Sequence, residues 1–416
     1  MAMTIDIKAL LKESLDDFTQ SSTNPLEDLP KVSLMEKRKH EREARKIIEK
    51  LQEKLIPLGL TSGKSLIKQD KVELQEAFME FITEADKKTI FFEEEFFTYF
   101  MDHGYLKSTE DFFILIKEQD PKMPVLNFFQ ALRNIFIANS LQLLFNHKVE
   151  LNKGLANYSL LYPYTDNYLD DKTIPSQEKR AFNTRLLSWL EGDFDLAKDE
   201  NEEKVLQAIL AIEKEFPRNE YSLVYESLLH IYDAQVTSLS QESPVKLSPH
   251  ILLPISFYKG GASVVADACL TKENVTPSMI HFAFVYGTFL QLIDDLQDYK
   301  EDRHQNHWTL FSVKNKEEIH DLEISKLISY LASSMDKIVF NTPEEAKLKK
   351  IILNACLMMI FSVVGKSPYL VSSKFYKILE SISRFRLSFY ADLEKSIEHF
   401  DLSKVEEKTI EEIDWL

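Results

Sequence analysis

No stretch of this chain alternates apolar and polar residues with period two over the length of a strand. From residue 124 onward, apolar residues instead recur at helical spacing in almost unbroken succession, over 124–146, 154–171, 175–192, 202–215, 220–239, 249–270, 277–303, 317–338, 343–365 and 368–397. Helix-start signals punctuate the series. Ser248-Pro249 and Thr276-Pro277 each set a hydroxyl residue before a proline at the first helical position, and Ser108-Thr109-Glu110-Asp111 and Thr342-Pro343-Glu344-Glu345 read as capping boxes. No Asn-Gly hairpin signal and no short internal repeat occurs. The fold class that follows is all-α. At 416 residues the pattern divides into an N-terminal helical extension over 1–120, a helical bundle over 121–400 and a tail over 401–416. Within the extension the expectation is a short helix, a linker over Ser21 to Pro25, a charged amphipathic helix over 34–56 and a helix over 70–101. Phe92, Phe96 and Phe100 mark a buried face of the last.

Composition closes off several functions. Nine glycines are few for this length, and no G-x-G-x-x-G stands where a backbone would have to approach a dinucleotide. Gly59 to Ser65 (GLTSGKS) has the wrong spacing for a P-loop and reads as a helix-linking loop. A net charge of −17 argues against nucleic acid as a partner, since that affinity comes from Lys and Arg on phosphates. Cys269 and Cys356 are the only cysteines, so neither a disulfide framework nor a cysteine zinc site is implied. The polar, acidic start carries no signal-peptide pattern. The greasiest run, Ile351 to Gly365, falls short of the roughly 20 residues of a membrane span and reads as a buried helix. The chain reads as cytoplasmic.

The chemistry gathers in two acidic places. A helix carrying Phe284, Phe289, Leu290, Leu292 and Ile293 runs into Asp294, Asp295, Asp298 and Asp302. Positions 294, 298 and 302 share one line of a helix, with Asp295 beside it. Like charges at that spacing repel, so the row is costly beside a packed apolar run unless a cation lies among them. The segment over 154–171 ends with Asp166, Asn167 and Asp170, again one turn apart on one face. Two carboxylate sets facing each other would form a wide site of oxygen ligands alone, which suits a hard divalent cation, Mg²⁺ in particular. EF-hand spacing is missing, and no grouped histidines suggest zinc. Lys259 stands beside Gly260-Gly261 in an otherwise apolar helical stretch, where the glycines imply either close helix approach or passage of something large.

These residues resemble the class I isoprenoid synthases. Gln291 to Asp298 (QLIDDLQD) is similar to the second aspartate-rich motif of that superfamily, and Asp166-Asn167-x-x-Asp170 resembles the first, with Asn in place of the second Asp. Lys259 lies 35 residues before Asp294 (294 − 259), the motifs are 128 residues apart (294 − 166), and Thr309-Leu310-Phe311-Ser312 follows downstream, all in keeping with the family. The arginine pair and Gly-Lys-Arg segment of chain-elongating prenyltransferases are missing; only Arg180 and Arg185 follow the first motif. The resemblance, over roughly residues 120 to 400, is closest to bacterial large-terpene synthases.

That resemblance implies an isoprenoid synthase-type helical bundle and a terpene synthase ionising a linear prenyl diphosphate to a hydrocarbon or alcohol. It implies several Mg²⁺ ions on Asp166, Asn167, Asp170, Asp294, Asp295, Asp298 and Asp302, with Asp166, Asp170, Asp294 and Asp298 essential to catalysis. Lys259, Arg180, Arg303 and Gln291 are the diphosphate-side candidates. A monomer or homodimer with transient membrane contact is expected. Helical spacing back from Asp166 adds Tyr162, Ser159 and Tyr158; back from Asp294 it adds Leu290, Gly287, Ala283 and Phe284, of which Gly287 and Ala283 leave room for a chain. Arg384 is a further inward-facing candidate. The alternatives are a prenyltransferase or squalene/phytoene-type coupling enzyme, an inactive scaffold of the same fold, and a phosphohydrolase suggested by His320-Asp321, with His320 expected to be exposed.

Overall fold

The computed structural model describes residues 3–21, 26, 29–57, 68–92, 95–171, 173–271, 274–314, 318–337, 343–398 and 408–412. The loop over Gly59 to Ser65, most of the Ser21 to Pro25 linker and Thr342 lie outside them. The protein is all-α, with no strand among the described residues.

The helices are α1 Ile7–Gln20, α2 Leu34–Leu55, α3 Lys68–Lys87, α4 Phe96–Asp102, α5 Tyr105–Gln119, α6 Val125–Leu144, α7 Lys153–Asp170, α8 Ser176–Glu191 and α9 Glu200–Glu215. They continue with α10 Ser222–Ser238, α11 Pro249–Cys269, α12 Pro277–Gln297, α13 Tyr299–Gln305, α14 Asp321–Asp336, α15 Pro343–Lys366, α16 Ser373–Ile382 and α17 Leu387–Glu398. They form two compact units, residues 1–20 with 129–314, and residues 21–128 with 315–416. The expected division at 120 is not followed. Residues 1–20 belong with the bundle because the buried face of α1 packs on α11, where Phe18 meets Phe257 edge-on at 5.6 Å. Residues 315–400, expected in the bundle, belong with 21–128.

In the first unit α11 packs against α12, α10 and α1, and α7 against α9. The α11–α12 contact is closest where glycine meets glycine. A Cβ built on Gly287 would stand 2.1 Å from the Gly260 carbonyl oxygen, and one on Gly260 would stand 2.4 Å from that of Gly287. Gly261 likewise admits the Phe284 ring, which a Cβ would meet at 2.4 Å. The helix starts follow the sequence at Thr276, whose hydroxyl accepts from Met279 N at 3.3 Å. Ser108 is not a cap. It lies buried inside α5, which starts from Gly104 at φ 96°, a conformation that favours glycine.

In the second unit the expected helix over 70–101 is two, α3 and α4, with Phe92 stacked on Phe96 at 3.9 Å and Phe96 edge-on to Phe100 at 5.0 Å. Buried Glu41 accepts from the Arg386 backbone N–H and from its guanidinium at 2.6–3.0 Å. α15 is more membrane-like than its sequence suggested. Ala346–Lys366 has a mean hydropathy of 1.8 over its best window, half of which is buried, so this helix is long and apolar enough to cross a bilayer.

Candidate functional site

The acidic row stands where α12 hands over to α13. α12 ends at Gln297 and Asp298 joins it to α13, so the single helix expected over 277–303 is interrupted there. The i→i−4 bonds continue nonetheless, with Asp298 N donating to Asp294 O and Asp302 N to Asp298 O, each at 2.9 Å. Asp294 and Asp298 are exposed and Asp302 half-buried. Loss of hydration beside the surrounding protein raises all four acids, Asp294 and Asp298 included although both are open to water. Asp302 is pushed to about 8, by burial first and then by the Asp295, Asp298 and Asp294 carboxylates; Asp295 is pushed to about 6. Asp294 and Asp298 also rise, burial leading. The Lys259 ammonium opposes the rise at Asp294, Asp295 and Asp302, and the Arg133 guanidinium opposes it at Asp294 and Asp298.

Asp295 differs from its neighbours. One oxygen accepts from Ser256 Oγ at 2.7 Å and the other from Gln291 Nε2 at 2.9 Å. It is buried, and through Ser256 it braces α12 against α11. Asp295, expected as a metal ligand, thus has both carboxylate oxygens hydrogen-bonded, one of them by Gln291, which was expected at the substrate. The remaining row of Asp294, Asp298 and Asp302 keeps the line that helical spacing gave it.

On α7, Asp166 is half-buried and accepts from Gln235 Nε2 of α10, while exposed Asn167 donates from Nδ2 to Gln130 Oε1 at 3.2 Å. The Asp170 side chain lies outside the described residues. The two acidic places meet electrostatically at Tyr162. Burial raises its phenol, Asp166 and Asp294 raise it further, and Lys259 and Arg133 lower it. Yet its side chain is 43% exposed. Both acidic places and two cations thus lie within electrostatic reach of one exposed phenol.

Arg133 was not foreseen. The signal was there, since it is the only charged residue in the 20 residues of α6. Phe129 and Phe136 share its helical face at i−4 and i+3, and both are exposed, at 43% and 39%. An apolar strip thus runs along the same face of α6 as the cation.

The pocket expected above the acids is filled. Gly287 and Ala283 are buried, Gly287 in contact with the backbone of α11, and Phe284 lies fully buried on Gly261. These residues close the helix pair rather than open a hollow. Tyr158 is also core, its hydroxyl donating to Ser263 O at 2.9 Å. Ser159 is buried and accepts from Asn134 Nδ2 at 2.9 Å. Arg180 is exposed on α8. Arg185 is structural, paired with fully buried Glu202. Arg303 Nε donates to Ser312 O at 3.2 Å, and Thr309 and Ser312 hydrogen-bond reciprocally, so the downstream motif forms a buried turn. In the second unit, Arg384 bonds the Ile90 and Thr89 carbonyls, and His320 is buried, with its N–H on Leu370 O.

The donors around Tyr162 are oxygens. Among the described residues no three of these carboxylates come within 4.8 Å of one another, so the set is broad rather than a tight cage. A closer group exists elsewhere in the first unit, where Glu13, Asp17 and His281 bring ligand atoms within 4.8 Å of one another, a set able to hold a metal ion. No family model matches the chain, and no curated protein matches it.

Proposed function

We propose that the first unit is a Mg²⁺-dependent class I isoprenoid synthase, ionising a linear prenyl diphosphate and releasing diphosphate to give a hydrocarbon or alcohol. The observation that carries this is the Tyr162 phenol, within electrostatic reach of Asp166, Asp294, Lys259 and Arg133 together. Two motif acids from separate helices and two cations around one exposed phenol suit a polyanion gripped partly through metal and partly directly.

Asp294, Asp298 and Asp302 would hold Mg²⁺ on one wall, and Asp166 and Asn167 on the other. The bound metal supplies Lewis acidity that stabilises the departing diphosphate. Lys259 and Arg133 add fixed positive charge where negative charge grows as the C–O bond breaks, which lowers the barrier most where water is sparse. Asp295, gripped by Ser256 and Gln291, stiffens the α12 end and keeps the neighbouring acids in place. The exposed Phe129–Phe136 face and the Tyr162 ring offer apolar and aromatic surface to the prenyl chain and its allylic cation.

The experiment is a panel of linear prenyl diphosphates, from ten carbons upward, incubated with the protein with and without Mg²⁺. Diphosphate and organic products are both measured. Metal-dependent diphosphate release with a hydrocarbon or alcohol supports the proposal. Longer diphosphates on addition of isopentenyl diphosphate would make it a prenyltransferase, a head-to-head dimer would make it a coupling enzyme, and no release from any substrate would leave a scaffold.

A further inference from the structure

We infer that Glu13, Asp17 and His281 form a second metal site, for a borderline divalent ion of the zinc type, that fastens the N-terminal helix to the start of α12. The site does not rest on the function proposed above. His281 precedes Asp294 by 13 residues (294 − 281), about 20 Å along α12.

The fold sets the geometry. The apolar side of α1 is fixed by Ile7 and Phe18, the latter on Phe257 of α11, and Ile5 N–H donates to Glu226 Oε1 at 2.9 Å just before the helix. Glu13 and Asp17 are one turn apart, so a helix fixed in this way presents both carboxylates together. His281 lies in the second turn of α12, and the three ligand atoms fall within 4.8 Å of one another.

A second observation points to a ligand. In a side chain that is 23% exposed, the His281 Nε2 atom itself has almost no solvent access and no hydrogen bond of good geometry among the described residues; Glu13 Oε1, 3.2 Å away, pairs with it when the imidazole is protonated. A buried imidazole nitrogen left without a hydrogen bond is costly. Coordination would satisfy it. Metal–ligand bonds of about 2.0–2.2 Å in a tetrahedron put neighbouring donors about 3.3–3.6 Å apart; Glu13 and His281 stand at 3.2 Å, and all three ligand atoms lie within 4.8 Å of one another. One imidazole and two carboxylates suit zinc-class ions better than magnesium, which prefers oxygen alone. The Glu13 side chain is 56% exposed, which leaves a path for the ion and a place for a water as fourth ligand.

The test is calorimetric titration of the full chain with Zn²⁺ in excess Mg²⁺, paired with hydrogen exchange over residues 7–20. The variants are His281→Ala and Glu13→Gln, the second at an exposed side chain whose change leaves the fold intact. The expected result is one Zn²⁺ fewer bound by each variant. In the wild type alone, Zn²⁺ should slow exchange of the α1 amides at least tenfold. Equal Zn²⁺ stoichiometry in wild type and both variants would overturn the site, because the ion would then sit on other histidines. Unchanged α1 exchange on zinc binding to the wild type would overturn the fastening role.

Discussion

The glycine contact between α11 and α12 yields a prediction with a magnitude. In Gly287→Ala the new methyl would stand 2.1 Å from Gly260 O and 2.8 Å from Val264 Cγ2. Bringing the first contact to 3.0 Å, the shortest a Cβ tolerates, parts the helices by about 0.9 Å (3.0 − 2.1). Overpacking of this kind costs about 1–3 kcal/mol, and a clash with backbone belongs at the upper end because a carbonyl cannot rotate away. Alanine returns about 1 kcal/mol of helix propensity. The net loss is about 2 kcal/mol, or about 4–8 °C in melting temperature for a unit of this size. Gly260→Ala meets Gly287 O at 2.4 Å and should cost slightly less. Because one parting of the helices relieves both clashes, the double variant should fall short of the summed losses by at least about 0.5 kcal/mol. Urea denaturation of the four proteins measures all of this. A Gly287→Ala protein as stable as wild type, or strict additivity, would show that the two helices are not in backbone contact.

Other expectations follow from single groups. Burial holds the Asp267 carboxyl well above the ordinary carboxylate range, with Asn134 Nδ2 donating to Oδ1 at 2.8 Å. Its native state therefore keeps a proton that the unfolded chain loses above about pH 4. Wild-type stability should fall relative to Asp267→Asn by about 1.4 kcal/mol per pH unit above that point, for as long as the native acid stays protonated; parallel stability–pH curves for the two proteins would refute it. Arg185→Ala strips the partner from fully buried Glu202 and should cost about 3 kcal/mol in chemical denaturation, whereas exposed Arg180→Ala should stay within about 0.5 kcal/mol. Arg133→Ala should leave the melting temperature within a few degrees and lower diphosphate release at least tenfold; unchanged release would remove Arg133 from the site.

What the sequence showed of this fold was whatever local periodicity controls. The helices over 124–366 stand close to their expected bounds because each is set by its own apolar spacing and caps, as at Thr276, whereas the segment expected over 368–397 is two helices, α16 and α17. The acidic line 294–298–302 survived the break at Asp298 because its backbone bonds continue through it. What depended on a distant partner was hidden. Gly287 looked like space and is contact, since spacing gives a face without saying what lies against it. Asp295 and Gln291 hydrogen-bond each other, and Asp295 also takes the Ser256 hydroxyl, a partner 39 residues away (295 − 256). Arg133 was legible as a lone charge in an apolar helix, but nothing local connects it to an acid on α12. The unit boundaries were hidden for the same reason: Phe18 has to meet Phe257 before residues 1–20 can be assigned to the bundle.

The most direct test of the account is Mg²⁺-dependent diphosphate release by wild type and Asp294→Ala, measured beside their melting curves. Loss of hydration disfavours the charge at Asp294 by more than Lys259 and Arg133 favour it, so the variant should melt at the same temperature or higher while release falls to background. A variant that unfolds would make Asp294 a structural acid, and one that still releases diphosphate at the wild-type rate would contradict the proposed site.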